Sequence, residues 1–74
     1  MQRRGYKGSV IEAGSYELRD NLGWDSFFTI EEHDGSGVTA TEFFLKSIYK
    51  TYEEAIAAAF VHAQRKLDSG FSAR

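Results

Sequence analysis

The side chains best suited to acid–base or metal chemistry in this 74-residue chain are two histidines and the acids near them. His33 follows Glu31 at a spacing that places both on one face of a strand, but two ligands are too few for a metal site. His62 has no nucleophilic serine or cysteine beside it in a recognisable motif. The segment Asp34-Gly35-Ser36-Gly37 lacks the alternating acids and distal glutamate of a calcium loop. We therefore expect a protein that is not an enzyme and that holds no metal or other cofactor.

The composition excludes several further classes. The chain has no cysteine and no proline, and its formal net charge is -2, so no disulfide framework or cysteine-based zinc site can form. A membrane helix needs about 20 consecutive apolar residues, and no such run occurs. No apolar segment follows the charged N-terminus as it would in a secretory signal. We therefore expect a single cytoplasmic domain spanning residues 1–74, without a membrane segment.

The strongest structural signal is a helix at residues 52–68. Thr51 and Glu54 have the spacing of a capping box, in which the Thr51 hydroxyl accepts from the Glu54 amide and the Glu54 carboxylate accepts from the Thr51 amide. Alanine dominates residues 55–63, and Gly70 suits the left-handed conformation that ends many helices. Apolar residues recur at spacings of three and four, which predicts one core-facing side made of Tyr52, Ile56, Ala59, Phe60, Ala63 and Leu67.

Three segments before the helix have the aromatic and β-branched composition of strands. They span approximately residues 7–19, 24–33 and 38–48. Turn-like sequences separate them at residues 20–23 and 34–37, and such short connections favour an antiparallel meander.

The fold class that follows is α+β: a three-stranded antiparallel meander with one C-terminal helix packed on one face, in the order β-β-β-α. Gly14 interrupts the first strand, where a bulge would bring the apolar residues on either side onto one face. Residues 1–5 and 71–74 are expected to be flexible ends. The predicted core consists of Trp24, Phe28, Ile30, Ile56, Phe60, Ala63 and Leu67.

Two phenylalanine doublets indicate a contact surface on the side of the sheet that the helix leaves uncovered. Adjacent strand residues point to opposite faces, so one ring of each doublet faces away from the helix. The strand phase turns Phe28 inward and Phe27 outward, and it leaves open which of Phe43 and Phe44 faces outward. Burying a phenylalanine gains about 1.5–3 kcal/mol, so the outward rings favour a partner or a cover, such as the N-terminal residues or Phe71. The alternative is a pair of scattered surface apolar residues, which are common on any protein. The candidate interaction face consists of Phe27, Phe43 and Ile11.

Charge is distributed unevenly along the chain. Residues 9–45 carry eight acids and one base, whereas Arg3, Arg4 and Lys7 form a candidate basic arm before them. Affinity for nucleic acid rests on lysine and arginine side chains that neutralise phosphates, so an acidic sheet disfavours that partner. A flat sheet also offers no obvious pocket, and we expect no small-molecule substrate.

The C-terminal half of the chain resembles that of a group of small uncharacterised single-domain bacterial proteins. The similarity lies in Ile48-Tyr49-Lys50-Thr51-Tyr52-Glu53-Glu54-Ala55, in the alanines that follow at helical spacing, and in Leu67-Asp68. This resemblance implies a bacterial protein with a three-stranded sheet and a C-terminal helix, and it implies no activity.

The layout is also similar to the plant Apetala-type DNA-binding domain and to integrase arm-binding domains. Tyr6-Lys7-Gly8-Ser9-Val10 resembles the opening of the Apetala-type pattern, Trp24 its second-strand tryptophan, and Thr51 with Glu53-Glu54-Ala55 its helix start. That family reads DNA with arginines on the sheet. At the corresponding stretches this chain carries acids, namely Glu12, Glu17, Asp25, Glu31, Glu32 and Glu42.

These observations favour a non-catalytic protein-interaction module. Its partner is another protein or a second copy of the chain, bound through the sheet face or an edge strand. The alternative is a sheet-reading nucleic-acid-binding module.

Overall fold

The computed structural model describes residues 1–73, which form a four-stranded antiparallel sheet with one C-terminal helix. The strands lie side by side in chain order and are β1 (Gln2–Tyr6), β2 (Ser9–Gly14), β3 (Phe27–Asp34) and β4 (Gly37–Phe44). Helix α1 (Tyr52–Asp68) has the bounds that the sequence predicts. The α+β class, the antiparallel sheet and the packed helix are confirmed, whereas the predicted count of three strands is wrong.

The additional strand comes from residues that the sequence analysis assigned to a flexible end. Lys7 and Gly8 both adopt positive φ, 50° and 81°, and form a two-residue turn whose twist matches that of the flanking strands. The chain before this turn folds back, so that β1 pairs with β2 along its whole length. The single strand predicted over residues 7–19 is therefore wrong, since β2 begins after the turn and ends at Gly14.

Residues 15–26 connect β2 to β3 through an irregular segment. It contains a short 3-10 turn in which Asp20 and Asn21 adopt positive φ, a conformation that these two residue types tolerate better than most. Trp24 exchanges two backbone hydrogen bonds with Tyr49, at 2.8 and 2.9 Å. This bridge attaches the segment before α1 to the connection between β2 and β3.

The core lies between α1 and the inner faces of β2 and β3. Small alanine side chains on α1 allow the helix to approach the sheet closely, and the Ser26 hydroxyl donates to the Ala55 carbonyl at 2.7 Å. Trp24 and Leu67, which were predicted as core residues, are only partly buried. The buried cluster consists of Ile11, Ala13, Phe28, Ile30, Ile56, Ala59, Phe60 and Ala63.

Helix α1 begins at a side-chain cap. The Thr51 hydroxyl accepts a hydrogen bond from the Glu54 amide at 3.1 Å, as predicted. The Glu54 carboxylate accepts from the Thr51 hydroxyl at 3.3 Å, and not from the Thr51 amide as the capping box would require. The cap therefore satisfies one free amide of the first turn.

The end of α1 turns the chain back toward the sheet. Gly70 has a φ of 91°, its amide donates to the Leu67 carbonyl, and the Phe71 amide donates to the Lys66 carbonyl, which together form a Schellman motif. As a result the Phe71 ring packs edge-on against Phe43, with ring centroids 5.3 Å apart.

The predicted flexible C-terminal end is thus partly ordered against the sheet. Phe71 packs on the core, and the Ala73 amide donates to the carboxylate of the buried Glu32 at 2.9 Å. Arg74, the last residue of that predicted end, lies outside the described residues.

Gly14 provides space for an aromatic ring and does not form a bulge. The pairing of β2 with β3 is regular up to Gly14, which lies directly opposite Phe27. A Cβ atom added to Gly14 would overlap the Phe27 ring. The predicted bulge is therefore wrong: in regular pairing Ile11 and Ala13 already share the face under α1.

We expect Gly14→Ala to destabilise the protein by about 1–3 kcal/mol, because the new methyl group forces the Phe27 ring out of its position. Urea unfolding followed by circular dichroism measures this change. Gly5→Ala is the matched control, since the nearest atom to its new Cβ is the Ser9 carbonyl oxygen at 4.0 Å, and it should alter stability by no more than about 0.5 kcal/mol. Equal stability of the two variants would contradict the assigned role of Gly14.

Candidate functional site

The three residues predicted as an interaction face do not lie together on the uncovered side of the sheet. Ile11 is completely buried beneath α1, and Phe43 faces the helix side, stacked on Phe28 with ring centroids 5.0 Å apart. Phe27 does face outward, but only 5% of its surface is exposed. The predicted face is therefore wrong for Ile11 and Phe43, because regular pairing without a bulge places Ile11 under the helix. Phe44 is the outward member of the second doublet.

The cover over Phe27 comes from its immediate neighbours. The Tyr16 ring stacks on it at 5.4 Å between centroids, the Phe44 ring lies at 5.7 Å, and Gly14 lies beneath the ring. Phe71, a predicted cover, packs instead on Phe43 at the opposite face of the sheet. The two covering rings remain 64% and 69% exposed.

The predicted basic arm is part of strand β1 and of the turn after it. On the outer face, Arg3 contacts Glu12 at 2.7 Å and Glu31 at 3.1 Å. The hydrogen bond from Arg3 lowers the pKa of Glu31, and the same bond raises the pKa of Arg3. On the other face, the Arg4 guanidinium lies 4.0 Å from the centroid of the Phe60 ring. The guanidinium groups of Arg3 and Arg4 therefore both interact with side chains of this chain.

Lys7 joins the first hairpin to the end of α1. Its Nζ atom lies 2.7 Å from Asp68 Oδ1, and the Tyr6 hydroxyl donates to the same oxygen at 2.8 Å. The hydrogen bonds from Lys7 and from Tyr6 lower the pKa of Asp68, and they raise the pKa of both donors. The assignment of Arg3, Arg4 and Lys7 to a free basic arm is therefore wrong.

The two histidines lie on different elements of the fold. His33 lies at the end of β3, with Nε2 3.7 Å from Glu31 Oε1, and His62 lies exposed on α1. Among residues 1–73, no three histidine or acidic side chains come together in a way that could hold a metal ion. In the same part of the chain, α1 is too short and too polar to cross a membrane.

A groove runs between β4 and α1. The helix packs over β2 and β3, so the inner face of β4 stays open beside it. The groove encloses about 680 Å³, within the roughly 300–1,000 Å³ of small-molecule sites. The expectation that the sheet offers no obvious pocket is wrong, because α1 lies over β2 and β3 and leaves the inner face of β4 as one wall of a groove.

Aromatic and aliphatic side chains form the floor of the groove, and basic side chains form its rim. We call this site the basic groove; its floor is Phe28, Phe43 and Leu45, and its rim is Lys46, Arg65 and Lys66. Lys66 Nζ lies 4.6 Å from the centroid of the Phe43 ring. Within the described residues 1–73, none of the three rim cations forms an ion pair with a carboxylate.

Sequence reasoning missed the basic groove because its cations had an ordinary local explanation. Arg65 and Lys66 occupy the last turns of α1, where positive charge is favoured by the helix dipole. Lys46 follows β4 immediately, and only the packing of α1 beside that strand brings it to the same groove.

The free edge of β4 is the second surface feature. In an antiparallel ladder, hydrogen-bonded and non-hydrogen-bonded residue pairs alternate. The two-residue turn at Gly35-Ser36 shows which pairs of β3 and β4 are hydrogen-bonded, and the hydrogen bond from the Leu45 amide to the Ser26 carbonyl at 2.9 Å agrees with it. Every second residue of β4 therefore directs its backbone N–H and C=O away from β3. These residues are Val38, Ala40, Glu42 and Phe44.

The two edges of the sheet differ in how well they are protected. Natural edge strands are commonly blocked by charged side chains or proline. β1 carries two arginines, whereas β4 has the sequence Gly-Val-Thr-Ala-Thr-Glu-Phe-Phe, with one charge and no proline. Val38 and Phe44 are 60% and 69% exposed along it. β4 is therefore the edge that is open to another strand.

We expect the melting temperature of the wild type to fall more on acidification than that of the Asp68→Asn variant. A carboxylate whose pKa is lowered in the folded state stabilises the fold above its unfolded pKa of about 3.9, and that contribution disappears as the pH falls through the lower folded pKa. Thermal unfolding at a series of pH values between about 7 and 2.5 measures the difference. Asp20→Asn, at an exposed aspartate without a described ion pair, is the control. If the melting temperatures of the wild type and Asp68→Asn differ by the same amount at every pH, the Asp68 carboxylate does not stabilise the fold through its contacts with Lys7 and Tyr6.

Comparisons of the chain with protein-family models, with curated proteins and with solved structures find no match. Its functional assignment therefore starts from two features of its own surface, the basic groove and the open edge of β4.

Proposed function

We propose that this chain is a non-catalytic protein-interaction module that forms a homodimer by pairing β4 with β4 of a second copy. The observation that supports this proposal is the open edge of β4, a full-length strand with one charged residue and exposed apolar side chains. Such an edge presents a row of unpaired N–H and C=O groups to a second chain.

The sequence of β4 favours one register for this pairing. Only the residues with outward N–H and C=O groups can exchange hydrogen bonds, so they must lie opposite one another. Centring the antiparallel pair on Thr41 places Val38 opposite Phe44 of the second copy, and Ala40 opposite Glu42. This arrangement pairs the two most exposed apolar side chains of the strand.

The neighbouring registers are less favourable. Centring on Glu42 places two carboxylates directly opposite each other, and like charges at such positions are destabilising. Centring on Ala40 moves Phe44 opposite Ser36, which lies in the turn and outside the strand. The register centred on Thr41 therefore pairs all four outward residues of the strand and gives the best side-chain pairs.

The dimer should be weak. One pair of short strands buries less than the roughly 1,200–2,000 Å² of specific stable interfaces, so we expect a dissociation constant in the micromolar range. The twofold axis is perpendicular to the sheet, which places both helices on the same face of an eight-stranded sheet. The basic groove of each copy stays open on that face.

The alternative, a sheet that reads nucleic acid, receives less support from the charges. The outer face carries Glu12, Glu31 and Glu42, and Arg3 on that face is already paired with two of them. Phosphate groups would meet mainly negative charge there. The cytoplasmic location and bacterial origin expected from the sequence stay predictions.

Ala40→Pro should abolish or strongly weaken the dimer and leave the fold intact. It removes an N–H that points away from β3, and proline is tolerated at such edge positions. We expect the dissociation constant to rise by about tenfold or more, measured by sedimentation velocity over about 1 µM to 1 mM. Ala40→Thr keeps the N–H group and is the matched control, with self-association like that of the wild type.

A second pair of variants tests the same edge without proline. Val38→Lys places a charge on the open strand and should weaken the dimer, whereas Val61→Lys, at an exposed position on α1, should not. A wild-type chain that stays monomeric over the whole concentration range would overturn the proposal. A dimer that tolerates both Ala40→Pro and Val38→Lys would also overturn it.

A further inference from the structure

We infer that the basic groove binds a small amphipathic organic anion, a molecule with an aromatic or aliphatic body and one carboxylate, sulfonate or phosphate group. This inference rests on other residues than the homodimer does, since the groove lies on the inner face of β4 and beside α1. Either proposal can hold without the other.

The floor of the groove is a stack of aromatic rings. Phe28 is buried in the core and stacks on Phe43 at 5.0 Å between centroids, with the two ring planes inclined by 26°. Phe71 holds the Phe43 ring from its edge at 5.3 Å. Because Phe43 is fixed from two sides and remains partly exposed, it presents a rigid apolar surface on which a ring or an alkyl chain can lie.

The rim of the groove concentrates positive charge from two different elements. Lys46 belongs to the segment after β4, and Arg65 and Lys66 belong to the last turns of α1. Like charges that converge on one groove repel each other, and a bound anion removes this repulsion. The rim cations therefore favour a ligand with an acidic group at one end.

Two of the cations elsewhere in the fold pair with carboxylates, whereas Arg19 and Lys50, like the groove cations, have no carboxylate partner among the described residues. Arg3 and Lys7 contact carboxylates at 2.7 Å, and Arg4 lies over the Phe60 ring. In a chain with eleven acids and a net charge of -2, the groove cations nevertheless have no carboxylate partner among the described residues. What distinguishes Lys46, Arg65 and Lys66 is that all three line one groove, which favours a negatively charged ligand there.

The size of the groove favours a small ligand over a strand of nucleic acid. Rings and cations would also suit single-stranded nucleic acid, which stacks its bases on aromatic side chains. However, the groove has a volume of about 680 Å³ and does not continue along a basic surface, because β3 and β4 beside it carry acids and no lysine or arginine. An oligonucleotide is therefore a competing ligand in the test and not the proposed one.

A pair of fluorescent probes tests the inference directly. 8-Anilinonaphthalene-1-sulfonate carries an aromatic body and one negative charge, and N-phenyl-1-naphthylamine is its uncharged analogue. We expect the anionic probe to bind several-fold more tightly than the neutral one. In amide NMR spectra, the shifts it causes should concentrate at Phe43, Leu45 and Lys66.

Charge-removing variants provide the controls. Arg65→Gln and Lys66→Gln should each weaken binding of the anionic probe about two- to fivefold and leave the neutral probe unaffected. Arg19→Gln, at an exposed arginine outside the groove, should change neither probe. Ala40→Pro should bind the anionic probe like the wild type, because it alters the open edge and not the groove.

Three outcomes would overturn the inference. The first is equal affinity of the wild type and the Arg65→Gln/Lys66→Gln double variant for the anionic probe, with dispersed amide spectra showing both folded. The second is a set of shifts centred on Tyr16 and Phe27, on the outer face of the sheet, instead of the groove. The third is an eight-nucleotide oligothymidylate that moves the groove amides and binds more tightly than the anionic probe, which would assign the groove to nucleic acid.

Discussion

The structure of this protein depends on the fact that one helix cannot cover four strands. Strands in a sheet lie about 4.8 Å apart, and a helix with its side chains is about 10 Å wide, so a single helix buries about two strands. Here α1 lies on β2 and β3, and the buried cluster contains residues of these two strands and of α1. For β1 and β4, the strands at the two edges, contacts other than packing under α1 must therefore cover the inner face. Their outward backbone N–H and C=O groups also lack a neighbouring strand.

The two edges meet this requirement differently. At the β1 edge, Arg4 extends its guanidinium over Phe60, and Tyr6 and Lys7 bond to Asp68, so that β1 is fastened to α1 by polar side chains. At the β4 edge, Phe71 packs against Phe43, but the rest of the inner face remains open as the basic groove. The asymmetry explains why both proposed interactions involve β4: its open edge carries a single charged residue, and its inner face is uncovered.

On the outer face of the sheet, neighbouring residues of the sheet and its connections bury Phe27. Phe27 has no helix above it, yet it is nearly as buried as the core residues, because Tyr16 and Phe44 flank its ring and Gly14 leaves room below it. An aromatic ring on an uncovered sheet face is therefore not by itself a contact surface. What remains for contact on this face is the outer part of the two covering rings, and Phe44 belongs to the open edge as well.

The elements with local signals could be predicted from the sequence. The cap at Thr51, the alanine-rich periodic segment and Gly70 define α1 because they act within a few residues of one another. The turn at residues 34–37 likewise determined that β3 and β4 are antiparallel neighbours. Strand β1 was missed for two reasons. Lys7 adopts a positive φ, which is rare for lysine, and the polar sequence of β1 forms a strand only because it pairs with β2. Three features have no local signal, because each depends on where α1 lies across the sheet or on residues far apart in the chain. They are the outward position of Phe44, the cover over Phe27, and the meeting of Lys46 with Arg65 and Lys66 at one groove.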